Sequence, residues 1–294
     1  MCRILVPVDF SRHTDTTIRY AVEFARHYPG EIRLFHTYFD RLVGTEATFT
    51  EAMDLNGIYN EELVRAVISH AEQETGRLKR HVEQLLVSEK IENTIVDYTL
   101  VGGEIEHELR LLCADFHPDY VFMGTRGKGN TLNIWGKVST FIVDHAKIPV
   151  FTLPELHGYK GFSDIMFATD LSGRCDKLVS RLAEVFHPFG PTIHVVHFYH
   201  AAKQQGEPGK MQNLEKRCRE EVKGVRLRFH LADTGEDQQK GIDDFVAKEN
   251  IRLIAFHPQK RGLLYMLFTK NITRKNLFAT NLPLLSLPAK DQDQ

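Results

Sequence analysis

The chain has few cysteines, no excess of charge of one sign and no long apolar run, and each absence excludes a class of protein. The four cysteines are scattered without a Cys-x-x-Cys pair, which argues against a disulfide framework or zinc ribbon and indicates reduced thiols in a cytoplasm. The 37 basic and 39 acidic residues nearly cancel, whereas a general nucleic-acid-binding protein carries a basic excess. No apolar stretch reaches the roughly 18 residues of a membrane span, and the amino-terminal segment lacks signal-peptide architecture. We therefore expect a cytoplasmic protein without nucleic-acid or membrane partners.

An internal repeat is the main feature that the sequence does contain. The runs RILVPVDFS, near the amino terminus, and DIMFATDLS, after residue 160, are both apolar and end in Asp-x-Ser. Asp9 and Asp170 lie 161 positions apart, and the same step relates His36 to His197. Farther along, a step of 134 relates the run IPV to LPL. A constant step over several sites indicates a duplicated domain, and 294 residues suffice for two domains of ordinary size.

The repeat predicts the domain boundaries, and hydrophobic periodicity predicts the fold class. Proline, glycine and histidine cluster over 154–161, so we predict one domain over 1–155 and a second, degenerate one over 160–294. In the first copy we predict strands over 3–9, 31–37, 93–101, 120–123 and 149–153, and helices over about 12–28, 61–87, 104–116 and 134–145. The second copy has the same order, with a shorter helix near 211–222. This alternation is typical of an α/β protein with a doubly wound parallel sheet and helices on both faces.

A glycine-rich loop, MGTRGKGN, follows the predicted fourth strand. Ligands of open parallel sheets bind beyond the carboxyl ends of the strands, where the winding direction reverses. Asp9 ends the first strand and Gly124 the fourth, and these ends are neighbours in a sheet of order 3-2-1-4-5. Glycines let backbone N–H groups approach an anion, so the loop predicts phosphate binding; a tight turn is the alternative explanation. Neither a Walker loop nor a dinucleotide fingerprint is present.

Five stretches together carry a family resemblance: VPVDFS, LFH, VFMGTRG, WGKVS and IPVF. In their order and spacing, over nearly the full chain, they resemble the universal stress protein family in its tandem two-domain form. The resemblance implies two Rossmann-like (HUP-type) α/β domains, each with a five-stranded parallel sheet of order 3-2-1-4-5. It also implies that the domains pair through their last strands as an intramolecular pseudo-dimer, and it is compatible with a homodimer.

The resemblance further implies a nucleotide site in the first copy, because ATP-binding members carry a Gly-x2-Gly-x9-Gly-[Ser/Thr] motif. Asp9 would contact the nucleoside, and Thr37 would lie by the adenine. The phosphates would lie along Gly124, Gly127 and Gly136. The implied nucleotide-binding set is Pro7, Val8, Asp9, Thr37, Met123, Gly124, Arg126, Gly127, Gly136, Lys137 and Val138.

The sequence departs from that motif in both copies. Eight residues rather than nine separate Gly127 from Gly136, and Lys137 stands where serine or threonine is usual. The shorter loop displaces backbone donors, whereas the lysine adds a positive charge for a phosphate, and these effects oppose each other. In the second copy the three glycine positions are occupied by Pro258, Arg261 and Lys270. Because proline lacks the N–H donor and side chains fill the space, we predict no nucleotide site in the second copy.

Two functions stay open. The first is a stress-response sensor or regulator that binds ATP, with Mg²⁺, or a related adenine nucleotide in the first copy. The second is a module for dimerisation and docking of an unidentified protein partner, without nucleotide. A slow ATPase is the least favoured hypothesis, because no carboxylate or histidine beside the loop has an evident role as a base, and we predict no catalytic residue.

The motif HVVHFYH suggests a metal site at first, since it holds His194, His197 and His200. Successive side chains of a strand point to opposite faces, so His197 would face away from the other two. We therefore predict no metal site from this motif and interpret His197 as the packed counterpart of His36.

Overall fold

The computed structural model describes residues 1–38, 61–124, 147–154, 158–171, 173–199, 206–257 and 281–288. The chain divides into two compact units. Each is an α/β arrangement in which strands of a sheet alternate with helices along the chain. Among the described helices, none is both long and apolar enough to cross a membrane.

The first unit has a parallel sheet whose strand order agrees with the prediction. Its strands are β1 (Cys2–Pro7), β2 (Gly30–Thr37), β3 (Ile95–Val101) and β4 (Tyr120–Gly124). Its described helices are α1 (Arg12–Ala25), α2 (Glu61–Ser88) and α3 (Ile105–Phe116). The strand order is β3-β2-β1-β4, with parallel pairing throughout. The ends of the neighbouring strands β1 and β4 therefore lie side by side.

Apolar spacing explains why α1 forms and which face it buries. The positions Ile18, Ala21, Val22 and Ala25 recur at intervals of three and four, and none is more than 1% exposed. On the same face, the Phe24 ring lies 5.4 Å from that of Phe122 in β4. The helix ends at Ala25, three residues before the predicted end, and a short turned segment leads to β2.

The second unit contains the complete predicted strand order. It comprises β5 (Val150–Leu153), β6 (Asp164–Ala168), α4 (Cys175–Phe186), a 3-10 turn (His187–Phe189), β7 (Thr192–Tyr199), α5 (Glu207–Glu221), β8 (Arg226–Asp233), α6 (Gln238–Lys248), β9 (Leu253–Phe256) and β10 (Leu284–Ser286). Strands β6 to β10 are parallel in the order β10-β9-β6-β7-β8. Counted within the second copy, this is the predicted 3-2-1-4-5 arrangement.

Strand β10 is paired along both edges. It runs parallel to β9 and antiparallel to β5, with Leu285 opposite Phe151 in the antiparallel ladder. The sequence repeat places β5 at the end of the first copy, whereas contacts place it in the second unit. Because an unpaired apolar edge promotes aggregation, the sequence predicts antiparallel pairing of these two strands, and the register confirms it.

Candidate functional site

The carboxyl edge of the first sheet brings together several predicted site residues. In the β1–β2 ladder Pro7 pairs with Phe35, and in the β1–β4 ladder Leu5 pairs with Val121. Asp9 follows β1 by two residues, Thr37 ends β2, and Gly124 ends β4. All three therefore lie at the same end of neighbouring parallel strands, where open α/β sheets bind ligands.

A tight turn after β1 fixes the carboxylate of Asp9. The backbone N–H of Ser11 donates to Asp9 Oδ1 at 3.0 Å, and the Thr14 hydroxyl donates to the same oxygen at 3.5 Å. Phe10, between Asp9 and Ser11, has φ of 56°, in the left-handed region that residues other than glycine rarely adopt. The carboxylate thus takes the place of a backbone acceptor, as aspartate commonly does in turns. The result is a part-exposed acid with a defined orientation.

The floor of this edge, formed by Val8, His36, Thr37 and Met123, is closely packed. His36 Nδ1 lies 2.7 Å from the Val8 carbonyl oxygen, and its ring lies 4.4 Å from that of Phe10. Val8 and Met123 are each 4% exposed and Thr37 is 2% exposed. Pro7, Asp9 and Gly124 are partly exposed. A ligand here would meet the Asp9 carboxylate and backbone atoms more than the side chains of the floor.

The structure thus brings six of the eleven predicted residues to one edge: Pro7, Val8, Asp9, Thr37, Met123 and Gly124. The other five lie outside the described residues: Arg126, Gly127, Gly136, Lys137 and Val138.

The second unit repeats the turn with a thiol in place of the hydroxyl. Cys175, at the position of Thr14, donates to Asp170 Oδ1 at 3.3 Å, and Leu171 has φ of 60°. His197 Nδ1 lies 2.9 Å from the Thr169 carbonyl oxygen. This matches the contact of His36 in the first unit, and it confirms that the two histidines are counterparts.

Ionisable side chains occupy the edge beyond the second turn. Glu207 Oε1 lies 3.4 Å from His197 Nε2. His257, which corresponds to Met123, follows β9 and has its Nδ1 2.9 Å from the Leu287 carbonyl oxygen. Burial lowers the pKa of His257, and the positive charge of Arg174 lowers it further. The two edges therefore share a backbone turn but differ in chemistry.

A cleft of about 620 Å³ lies beside the first turn, between α1 and α2. It combines acidic and basic side chains, with Asp15, Glu74, Arg77 and Arg80 among those that line it. Within the described part of the chain, no residue of the predicted nucleotide set lines this cleft. We therefore place the candidate site at the strand edge rather than in the cleft.

Known proteins share this fold. The sequence model of the universal stress protein family matches residues 1–154. The chain belongs to the universal stress protein family. Among solved structures, this family member is similar to a universal stress protein from Archaeoglobus fulgidus, with a TM-score of 0.71, 16% identity, and coverage of 99% of this chain and 97% of that one.

A protein of unknown function from Pseudomonas aeruginosa is also similar, with a TM-score of 0.61, 12% identity, and coverage of 99% of this chain and 94% of that one. At these identities the likeness concerns the fold alone. No curated protein matches the sequence.

One cluster in the second unit was not predicted from the sequence. His194 in β7, His230 in β8 and Glu249 after α6 direct potential ligand atoms toward one another. The motif HVVHFYH contains only one residue of the cluster, His194, whose partners come from the next strand and the following helix. His194 and His230 can be recognised as lying on the same face of the sheet only once the register of β7 and β8 is known.

Proposed function

We propose that this universal stress protein binds ATP or a related adenine nucleotide at the carboxyl edge of its first sheet and acts as a cytoplasmic sensor or regulator in stress responses. The observation that supports the proposal is the oriented Asp9 carboxylate beside the end of β4. Ligands of open α/β sheets bind at this position.

The described residues fit the nucleoside part of such a ligand. Asp9 offers a carboxylate whose orientation is fixed before the ligand arrives, so a ribose hydroxyl meets a preorganised acceptor. The phosphate part of the proposal rests on Gly124 at the end of β4 and on the glycine-rich sequence that follows. Mg²⁺ would neutralise phosphate charge when it accompanies the nucleotide.

We expect binding without efficient turnover. At this edge the Asp9 carboxylate and the His36 imidazole are each engaged with the backbone. Neither is placed as an evident base for a water molecule. Steady release of phosphate from pure protein should therefore stay at background. Release that disappears on Asp9→Ala or Lys137→Ala substitution would contradict this expectation.

The decisive experiment compares the two equivalent aspartates. ATP is titrated by calorimetry into the parent protein, Asp9→Ala and Asp170→Ala. A hydrogen bond to a charged group contributes about 1.5–3 kcal/mol, so Asp9→Ala should weaken binding roughly 10- to 150-fold. Asp170→Ala is the matched control, because it disrupts the same type of turn in the second unit, and it should change the affinity little.

Equal weakening by both substitutions would show that the site is not in the first unit. Gly127→Val gives an independent test, because a branched side chain would obstruct backbone approach to a phosphate, and it should weaken binding at least as strongly as Asp9→Ala. Nucleotide released from freshly purified, denatured protein would identify the natural ligand. If the parent shows neither heat of binding nor thermal protection by ATP, the docking-module hypothesis replaces this one.

A further inference from the structure

The unpredicted cluster in the second unit has the composition of a transition-metal site. His194 Nδ1 lies 3.2 Å from His230 Nε2 and 3.7 Å from a carboxylate oxygen of Glu249. The three potential ligand atoms all lie within 4.8 Å of one another. Two imidazoles and one carboxylate form a donor set that zinc and related late divalent metals accept.

Three separate elements hold these side chains on one face of the sheet. His194 is the third residue of β7, and His230 lies in β8, where it pairs with Val196. Because residues 194 and 196 share a face of their strand, the two rings come together and stack at 5.2 Å. Glu249 arrives from the end of α6. The site is therefore assembled by the fold and does not depend on one flexible loop.

A carboxylate behind His194 fixes which of its ring nitrogens is available. His194 Nε2 lies 3.3 Å from Asp164 Oδ1. Since an ionised carboxylate only accepts hydrogen bonds, Nε2 carries the proton and the lone pair is on Nδ1, which faces His230 and Glu249. Histidines that bind metals in proteins are commonly held by a carboxylate in this way.

The distance between the two ring nitrogens is consistent with a metal ion bound by both. With Zn–N bonds of about 2.0–2.1 Å, two ligands of a tetrahedral ion lie roughly 3.3–3.4 Å apart. The observed 3.2 Å between the nitrogens of His194 and His230 is close to that value. Glu249 is farther away, so binding would draw its carboxylate toward the rings and away from Arg228, whose guanidinium lies 3.6 Å from it.

From this arrangement we propose that His194, His230 and Glu249 bind one Zn²⁺-class divalent ion, with Asp164 as a positioning residue. Three protein ligands leave a fourth position for water or an exogenous ligand. His194 is fully buried, whereas His230 and Glu249 are partly exposed, so an ion reaches the site from their side. The ring of Phe245, 5.1 Å from that of His230, closes part of the surroundings with apolar surface.

In the metal-free protein the same geometry allows His230 Nε2–H to donate to His194 Nδ1.

The test uses the full chain, freed of metal with a chelator and dialysed, into which ZnCl₂ is titrated by calorimetry. We expect one saturable Zn²⁺ site in the parent that is lost in His230→Gln. Asp164→Asn should weaken binding about 10- to 100-fold, because removal of a partner that orients a ligand typically has this effect. MgCl₂ should give no binding at this site, since Mg²⁺ prefers oxygen ligands.

The matched control is His187→Gln, which removes an exposed histidine of the same unit outside the cluster. It should bind Zn²⁺ as the parent does. Should His230→Gln fail to fold, Glu249→Gln replaces it, because that residue lies outside the strands. ZnCl₂ should also raise the melting temperature of the parent and not of the ligand variant.

Two results would overturn the proposal: no Zn²⁺ binding by the parent, or His230→Gln and Glu249→Gln with the stoichiometry and affinity of the parent. Substitution of Co²⁺ provides a separate readout. Visible absorption typical of four-coordinate Co²⁺ should appear in the parent and be absent from His230→Gln. Because the proposed nucleotide site is in the other unit, the outcome of either proposal leaves the other unaffected.

Discussion

At the scale of single residues, Gly30 is a position where any side chain meets the backbone of the neighbouring strand. A Cβ atom there would lie 2.0 Å from the carbonyl oxygen of Cys2 and 2.5 Å from its nitrogen. Cys2 pairs with Gly30 at the start of the β1–β2 ladder, so neither backbone can move without breaking the pairing. Gly30→Ala should therefore lower the free energy of unfolding by at least about 1–3 kcal/mol. Equilibrium urea denaturation measures this.

Gly76 is the contrasting position, at which substitution by alanine should stabilise the protein. It lies in the middle of α2, and the nearest atom to an added Cβ is the end of the flexible Arg80 side chain, at 3.7 Å. Glycine within a helix is less favourable than alanine by about 0.5–1 kcal/mol. Gly76→Ala should thus raise the free energy of unfolding by that amount, which appears as a higher urea midpoint with an unchanged m-value. A lowered midpoint would mean that α2 makes contacts at this position that alanine disturbs.

Single residues also show where prediction from sequence stops. Asp9, Thr37 and Gly124 could be placed together, because strand ends in a parallel sheet of known order are fixed by topology. His230 and Glu249 could not be assigned to His194. Their contact depends on the β7–β8 register and on where α6 ends, and hydrophobic periodicity specifies neither.

At the scale of elements, periodicity predicted the strands and helices because each strand is bounded by turn residues and each helix buries one face, whereas the order of the strands was implied by the family resemblance. The predicted ends of the helices and strands were less accurate. The predicted helix near 211–222 begins at Glu207, with Pro208 and Gly209 in its first turn. These residues usually mark a break, yet proline is tolerated in the first turn, where its missing N–H has no intrahelical acceptor.

The central position of β10 gives a prediction for Leu285. Leu287 N donates to Phe256 O and Ile254 N donates to Pro283 O, so the alternating pattern directs the Leu285 N–H toward β9. Leu285→Pro removes that donor inside a sheet and leaves a buried acceptor unpaired, which costs about 1–3 kcal/mol. It should destabilise the protein by at least this much more than Leu285→Val, which keeps the donor. Denaturant titration of both variants measures this difference. Equal destabilisation would mean that β10 does not unfold together with the rest of the protein.

At the scale of the whole molecule, two partly buried histidines should link stability to pH. Burial lowers the pKa of both His230 and His257 below the ordinary value of 6.5. As the pH falls through 6.5, the unfolded chain binds protons that the native state does not, so the free energy of unfolding decreases. The decrease ends once the pH has passed the lowered native values.

His257→Gln should accordingly flatten the fall in stability between about pH 7 and pH 5 relative to the parent. His187→Gln, at an exposed position, is the control for the substitution of a histidine as such. Melting temperatures measured across this range, with a chelator present to keep the cluster around His230 free of metal, give the comparison. An identical slope in parent and His257→Gln would contradict the assigned effect of burial.

The antiparallel pairing of β5 with β10 also means that β5 is synthesised well before its partner. The ribosome completes β10 roughly 130 residues after β5, which at about 5–20 residues per second takes roughly 7 to 26 seconds. Through that interval the edge of Val150–Leu153 that β10 will cover has no partner from its own chain, although its side chains are apolar enough to be buried in the finished protein. Neighbouring chains on the same messenger carry the same exposed edge. The yield of native protein will therefore depend on how quickly translation of the second repeat is finished.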